Sequence, residues 1–322
     1  MRPLWKDFLT ALWMGLVLPG IILNTADMLL RNQQDLQKQE TIPETVAQEQ
    51  CQPMRLRLTG AGTEEMDMDL YLTRVLLAEV PADFETEMLK AQSVAARTYA
   101  QKAWEIGGKH GDGSVCTKSV CCQGYITEED YLNQGGTQEG IEKIRNAVTS
   151  TSGQVLTYEG ELIEATYFSC SGGMTEDAQA VWGSSFPYLQ SVESPGEENA
   201  VYYTDTVVYT LQQFQNLLGI FLPEETEAWF GEVTRTEGGG VATIEIAGAI
   251  FTGTQLRSLL GLRSTNFTIS AGEQITITTK GYGHRVGLSQ YGAEAMAVNG
   301  STYEEILSHY YPGTLLTNKI EG

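Results

Sequence analysis

Apolar and polar positions divide the chain into an apolar head, a polar stretch and a long mixed body. The head, MRPLWKDFLTALWMGLVLPGIILN, sets Arg2 and Lys6 before an apolar run of about 17 residues, near the length that crosses a bilayer. The positive flank predicts a cytoplasmic N-terminal end and a body outside. Residues 1–26 are therefore expected to form a cytoplasmic tip and transmembrane anchor. A cleaved signal peptide is the alternative, for which Asn24-Thr25-Ala26 is a poor small-x-small site. Residues 27–50 are mostly polar and end in a glutamine-rich run, the pattern of a tether.

Within residues 51–322 the periodicity changes repeatedly. PMRLRLTG reads as a strand, and LYLTRVLLA as an apolar lead-in that delivers Glu79 just before Pro81. Helix formers then predict a helix from Thr86 to Ile106. Gly107 to Gly140 is a Gly, Ser, Thr and Cys loop with few long apolar residues. Ile141 to Ser150 predicts a short helix, and GQVLTYEGELIEATYFSC a hairpin about Gly160. Further on, VYYTDTVVYT, GGVATIEIAG and QITITTKGYGHR alternate as strands do, while LQQFQNLLGI, GLSQYGAEAMAVNG and TYEEILSHYYPG read as helices. No βαβ repeat emerges, so the fold class is α+β: mixed helices and short antiparallel strands forming a groove, with the N-terminal anchor. The insert near residues 200–260 is a candidate second lobe.

With 322 residues the chain can bury a large core. Its formal charge of −21 argues against nucleic-acid binding, which needs a basic surface to replace counterions. An acidic protein can still hold an anionic ligand where a few cations converge. Lys90 and Arg97, seven positions apart, fall near one helical face. Glu79 with these two would make an acid beside an anion clamp; an ordinary surface helix with scattered charge has the same pattern.

His110, Cys116, Cys121 and Cys122 crowd a loop without apolar support. Thiolates and imidazole are the ligands zinc prefers, and four would close a tetrahedron. Adjacent cysteines on one metal are unusual, so a three-ligand site of His110, Cys116 and Cys122 stays open. A disulfide is the rival reading. Five cysteines cannot all pair within one copy. The loop Ser169-Cys170-Ser171-Gly172-Gly173 reads either as a hydroxyl-lined turn for a sugar or as a nucleophile, Cys170 or Ser171, paired with His284. In Gly281 to Gly292 four glycines leave His284, Arg285, Ser289, Gln290 and Tyr291 as the side chains of a ligand loop. Equally, it reads as a loop-to-helix transition capped by Ser289.

Taken together, AEVPADFETEMLKAQSVAARTYA, YFSCSGGMT, SSFPYL, LRSLLGLRST and GHRVGLSQYGAEAMA resemble the stage II sporulation protein D family of endospore formers, over roughly residues 52–315. The resemblance implies a membrane-anchored lytic transglycosylase that degrades peptidoglycan during engulfment of the forespore, at the mother-cell septal membrane. It further implies a preference for strands stripped of stem peptides, and two partners: the sporulation amidase P (SpoIIP) and the multispanning protein M (SpoIIM). Some relatives modulate rather than cleave, so a non-catalytic peptidoglycan-binding or amidase-enhancing module is the alternative. By the same resemblance Glu79 is the catalytic acid. Lys90, Arg97, Ser169, Ser171, Gly172, Gly173, His284, Gln290 and Tyr291 are substrate-binding, and His110, Cys116, Cys121 and Cys122 hold a structural zinc. Cys121 stands where a second histidine is expected. Arg-Val-Gly-Leu after His284 departs from the usual Gly-Val-Gly-Met.

A hydrolytic glycosidase typically needs two carboxyl groups. The transglycosylase that the resemblance implies needs one, because the muramic C6 hydroxyl is the nucleophile and a 1,6-anhydro sugar the product. Glu79 then needs a pKa near the working pH, which burial favours and neighbouring cations oppose.

Overall fold

The computed structural model describes residues 54–58, 62–223 and 229–318. Strands β1 (Met54–Leu58) and β2 (Gly62–Met66) form an antiparallel hairpin. Helix α1 (Met68–Glu79) follows, capped by Asp67, whose carboxylate accepts the Leu70 amide at 3.0 Å. Its buried Met68, Tyr71, Leu72, Val75 and Leu76 recur at the spacing of one helical face. Helix α2 (Thr86–Ile106) ends where Gly107 takes a φ of 88°, the left-handed cap geometry that glycine adopts without strain.

Beyond α2 come β3 (Val115–Cys116), α3 (Glu128–Asn133), α4 (Gln138–Ser150), β4 (Gln154–Tyr158), β5 (Glu161–Leu162) and β6 (Tyr167–Phe168). Helix α2 is central. It packs against α1 and α4, and its fully buried Ala91, Ala95, Ala96 and Ala100 leave room for close neighbours. This is a core helix, where a surface helix was one expectation. The reason is its run of small residues, which buries most of its circumference.

A second apolar core lies further along the chain. It gathers side chains from α6 (Leu211–Leu218), β9 (Val241–Ile246), α7 (Gly253–Leu259), β11 (Phe267–Ala271) and β12 (Ile275–Lys280), with Phe214, Ile244, Leu256, Phe267 and Ile277 almost fully buried. Helix α5 (Ala178–Trp182), β7 (Thr204–Tyr209), β8 (Phe230–Arg235) and β10 (Ala249–Thr252) fill the rest of that order. The sheets are β10-β9-β8 and β11-β12-β7, both antiparallel. Strand β13 (Leu288–Ser289), α8 (Gln290–Val298), α9 (Tyr303–Tyr310) and β14 (Leu315–Asn318) return the chain to the first core, where α8 and α9 pack on α2.

The α+β class stands, with two departures in pairing. Strand β1 pairs β3 in parallel, and β6 pairs β13 in parallel, Tyr167 opposite Leu288 and Phe168 opposite Ser289. The hairpin about Gly160 is only β4 with the two-residue β5, because Tyr167 and Phe168 are taken by a partner far along the chain.

The expectation of a membrane-anchored, single-pass protein is corrected here. No described helix is long and apolar enough to cross a membrane. Helix α2 has the length, but Glu87, Lys90, Arg97, Lys102 and Glu105 lie along it, charges that hydrocarbon would not tolerate. The anchor assigned to residues 1–26 and the tether at 27–50 lie outside the described residues.

Candidate active site

Glu79 is the last residue of α1, two positions before Pro81, which has no amide to continue the ladder. Its carboxylate accepts the Gly124 amide at 2.5 Å. A Cβ at Gly124 would lie 2.8 Å from Glu79 Oε1, so a larger residue there would push the carboxylate out of this position. Burial raises the Glu79 pKa, partly offset by the Gly124 hydrogen bond. Beside it, Tyr71 donates to Gln123 Oε1 at 2.9 Å, while Gln123 Nε2 donates to the Tyr167 hydroxyl at 3.0 Å. Gln123 thus ties the loop before Gly124 to α1 and β6.

Glu79 lines a cleft of about 820 Å³ with Ser169, Trp182, Tyr202, Tyr282, His284 and Gln290. Cys121, Cys122, Lys109 and a second carboxyl, Glu164, line it too. Lys102 pairs with Glu164 at 2.8 Å. A cleft of this size with aromatic walls and a few polar groups suits a sugar polymer.

His110, Cys116, Cys121 and Cys122 converge, their ligand atoms all within 4.8 Å of one another. Cys122 Sγ lies 3.4 Å and Cys121 Sγ 3.8 Å from His110 Nε2, and the two sulfurs are 3.9 Å apart. A tetrahedron with metal–sulfur bonds of about 2.3 Å has edges of about 3.8 Å, so the donors fit a zinc-sized ion. The four described cysteines are free thiols. Burial raises the Cys116 thiol, but the Lys118 amide and His110, Cys121 and Cys122 outweigh it and bring the pKa to about 7. Burial and the neighbouring Cys116 push Cys122 up to about 11.

The two glycine-rich motifs meet through the β6–β13 pairing and a bridge from Cys170 to Tyr282. At their junction sits Glu197, only 1% exposed. Its Oε2 accepts from Ser171 Oγ (2.7 Å), the Gly172 amide (2.8 Å) and Cys170 Sγ (3.3 Å). Its Oε1 accepts from Ser194 (2.7 Å) and Ser289 (2.5 Å). Gly172 has a φ of 78°, and a Cβ there would fall 2.8 Å from the Lys280 carbonyl carbon, so the turn needs glycine. Ser171 and Cys170 are spent on Glu197, and burial, then Glu197, pushes the Cys170 thiol up to about 12. Neither forms the hydrolase pair with His284. Arg285, fully buried at a φ of 67°, donates to Glu176 (3.0 Å) and to the carbonyls of Ser171, Met174 and Gly238.

His284 Nδ1 accepts the Val286 amide at 3.1 Å, and its ring lies against Phe168 and Trp182. Burial, with Arg257 contributing, lowers its pKa to about 4, so the ring is neutral near pH 7. Gln290 opens α8, which Ser289 caps as its sequence position suggested. Tyr291 stands back from the cleft, its ring edge on Phe84 and its amide on the Ser169 carbonyl.

Lys90 and Arg97 do not reach the cleft. Lys90 pairs with Glu87 at 2.7 Å and faces the Tyr303 ring, and Arg97 bridges Asp69 (2.6 Å) and the Val148 carbonyl (3.1 Å). The structure therefore brings Glu79, Ser169, His284, Gln290, Cys121 and Cys122 to one cleft. It buries Ser171 on Glu197 and leaves Gly172 and Gly173, both half-buried, off the cleft lining. Gly124, Glu164, Glu176 and Glu197 were missed from sequence. Each is a single residue in a loop or at an element's edge, with no spacing to mark it.

A family model described as Stage II sporulation protein matches residues 60–158. The chain is 39% identical over 263 residues to Stage II sporulation protein D of Bacillus amyloliquefaciens, covering 80% of this chain and 76% of that one. It is 38% identical over 267 residues to Stage II sporulation protein D of Bacillus subtilis, covering 81% and 77%. A 30% identity over 304 residues links it to an Amidase enhancer of Bacillus subtilis, covering 77% of this chain and 40% of that protein. The chain belongs to the stage II sporulation protein D family.

Proposed function

We propose that this chain is a lytic transglycosylase of peptide-stripped peptidoglycan, with Glu79 as its acid. Family membership supports cell-wall remodelling in sporulation, and the likeness to an amidase enhancer keeps a non-catalytic module as the second reading. The observation that carries the enzymatic reading is Glu79 itself: a half-buried carboxyl with a raised pKa, held by one amide at the wall of a polar-aromatic cleft.

In this reading protonated Glu79 gives its proton to the glycosidic oxygen, O4 of N-acetylglucosamine, as the bond from that oxygen to muramic C1 breaks. The muramic C6 oxygen closes on C1, and its proton returns to the Glu79 carboxylate. Atoms balance without water, and the product end is 1,6-anhydro-N-acetylmuramic acid. Ser169, neutral His284 and Gln290 are assigned to hold the sugars by hydrogen bonds and ring contact. Lys90 and Arg97 keep a structural role through Glu87 and Asp69. The amidase P and the membrane protein M remain the proposed partners.

His110, Cys116, Cys121 and Cys122 are assigned to a structural zinc. When bound, it supplies a cross-link to a loop that lacks a core of its own. Gln123 and Gly124 follow directly, so the cluster would steady the amide that holds Glu79.

Mass spectrometry of products from peptide-stripped glycan tests the reading. The parent chain should yield anhydro-muramic ends, and Glu79→Gln at least a hundredfold fewer. Glu164→Gln should retain most of the activity, because a transglycosylase needs one carboxyl. Reducing ends in place of anhydro ends, lost in both variants, would make the enzyme a two-carboxylate hydrolase. No cleavage by the parent would favour the non-catalytic module.

A further inference from the structure

A second cleft, of about 670 Å³, lies beside the first. Tyr125, Thr127, Asp130, Tyr131 and Gln134 line it, with Leu77 and Ala78 at the end of α1. Ala78 lines both clefts, and a Cβ on Gly124 would touch the Ala78 methyl at 3.4 Å. The two therefore adjoin at Ala78, the residue before Glu79.

We propose that this second cleft holds the continuation of the glycan strand on the leaving-group side of the cut, beginning with an uncharged N-acetylglucosamine. The proposal rests on the glycan reading of Glu79. An acid that cuts inside a polymer has sugar rings on both sides of it, and the second cleft, which shares Ala78 with the first, gives room for rings next to Glu79. Charge assigns the sides. The second cleft is lined by the Asp130 carboxylate and by no cation, which disfavours a muramic carboxylate. The first contains Lys109, and the carboxylate of its Glu164 is already paired with Lys102, just as Arg74 behind Tyr125 in the second is paired with Glu128.

The aromatic groups of the second cleft are held in place before any ligand arrives. Arg74, paired with Glu128 at 2.9 Å, donates to the Tyr125 hydroxyl at 2.9 Å. The Tyr131 ring lies over Gly136, where a Cβ would come within 2.1 Å of a ring carbon. Rings fixed in this way offer stacking surface at little entropic cost. Gln134 is exposed at the rim and available for hydrogen bonds to an acetamido group.

Calorimetry with neutral chitin oligosaccharides tests this, on the full chain carrying Glu79→Gln so that turnover does not intervene. The hexasaccharide should bind about tenfold more tightly than the trisaccharide. Adding Tyr131→Ala or Gln134→Ala should remove most of that difference and leave trisaccharide affinity unchanged, while Tyr131→Phe retains it. Thermal midpoints of each variant check the fold, and the exposed Gln134 keeps the test open if Tyr131→Ala unfolds. Hexasaccharide affinity that survives both alanine changes, or a parallel fall for both sugars, would overturn the assignment. Normal anhydro-product formation with that result would leave the Glu79 reading intact. Failure of the Glu79→Gln chain to bind either sugar would remove the glycan reading and this inference with it.

Discussion

The Gly124 amide donates to the Glu79 carboxylate at 2.5 Å, joining the loop that follows the His/Cys cluster to the end of α1. That bond opposes the burial that raises the Glu79 pKa. Burial is the larger effect, so the Glu79 carboxyl holds its proton above the ordinary carboxylate range, as the proposed acid role requires.

Gly124→Ala puts a methyl 2.8 Å from Glu79 Oε1 and forces the carboxyl or the loop to shift. Activity on stripped glycan should fall ten- to a hundredfold. Circular dichroism should stay native, and the Tm should drop by only a few degrees. Wild-type turnover by this variant would show that the amide contact does not matter.

Removal of metal should loosen the loop. A site filled at a thousand times its Kd contributes about 4 kcal/mol. Chelation of the full chain, or Cys122→Ser, should therefore lower the urea midpoint and release one zinc per chain by elemental analysis. A purified chain without metal whose stability is insensitive to chelator would exclude the site.

Stability should depend on pH through His284. Its folded pKa of about 4 lies below the ordinary value of 6.5, so the unfolded chain binds the proton first as pH falls. The contribution is full above pH 6.5 and is lost between 6.5 and 4, by about 3 kcal/mol. His284→Phe should flatten that part of the stability curve measured by urea titration. An unchanged slope in the variant would assign the effect to other groups.

Breaking the buried Arg285–Glu176 pair should cost about 3–5 kcal/mol, because the remaining charge has no water to turn to. Arg285→Met should show the larger loss, since the guanidinium also holds three carbonyls. Denaturant unfolding that shows less than about 1 kcal/mol would mean water reaches the site.

Much was legible locally. The bounds of α2, its glycine stop, and the Ser289 cap follow from propensity and capping chemistry, which act within a few residues. The His/Cys cluster was legible because four zinc-preferring side chains in one short loop have few other uses. Lys90 and Arg97 show the limit of that logic. Their spacing sets a helical face, but Glu87, Asp69 and the Val148 carbonyl decide where the charges go. Glu197 carries no local signal. Ser194, three positions away, is its one local partner; its importance arises only when Ser171 and Ser289, far off in sequence, close around it as well.

From the chain alone, then, came the longer helices and strands, the bounds of α2, the family motifs and the candidate metal-ligating set, because each is written in near neighbours. Tertiary structure alone decided which polar groups face the cleft and which disappear into the shell behind it. Hydrogen bonding and desolvation depend on atoms brought together from distant segments, such as β6 against β13 and Gly124 against Glu79, and one-dimensional spacing carries no measure of them.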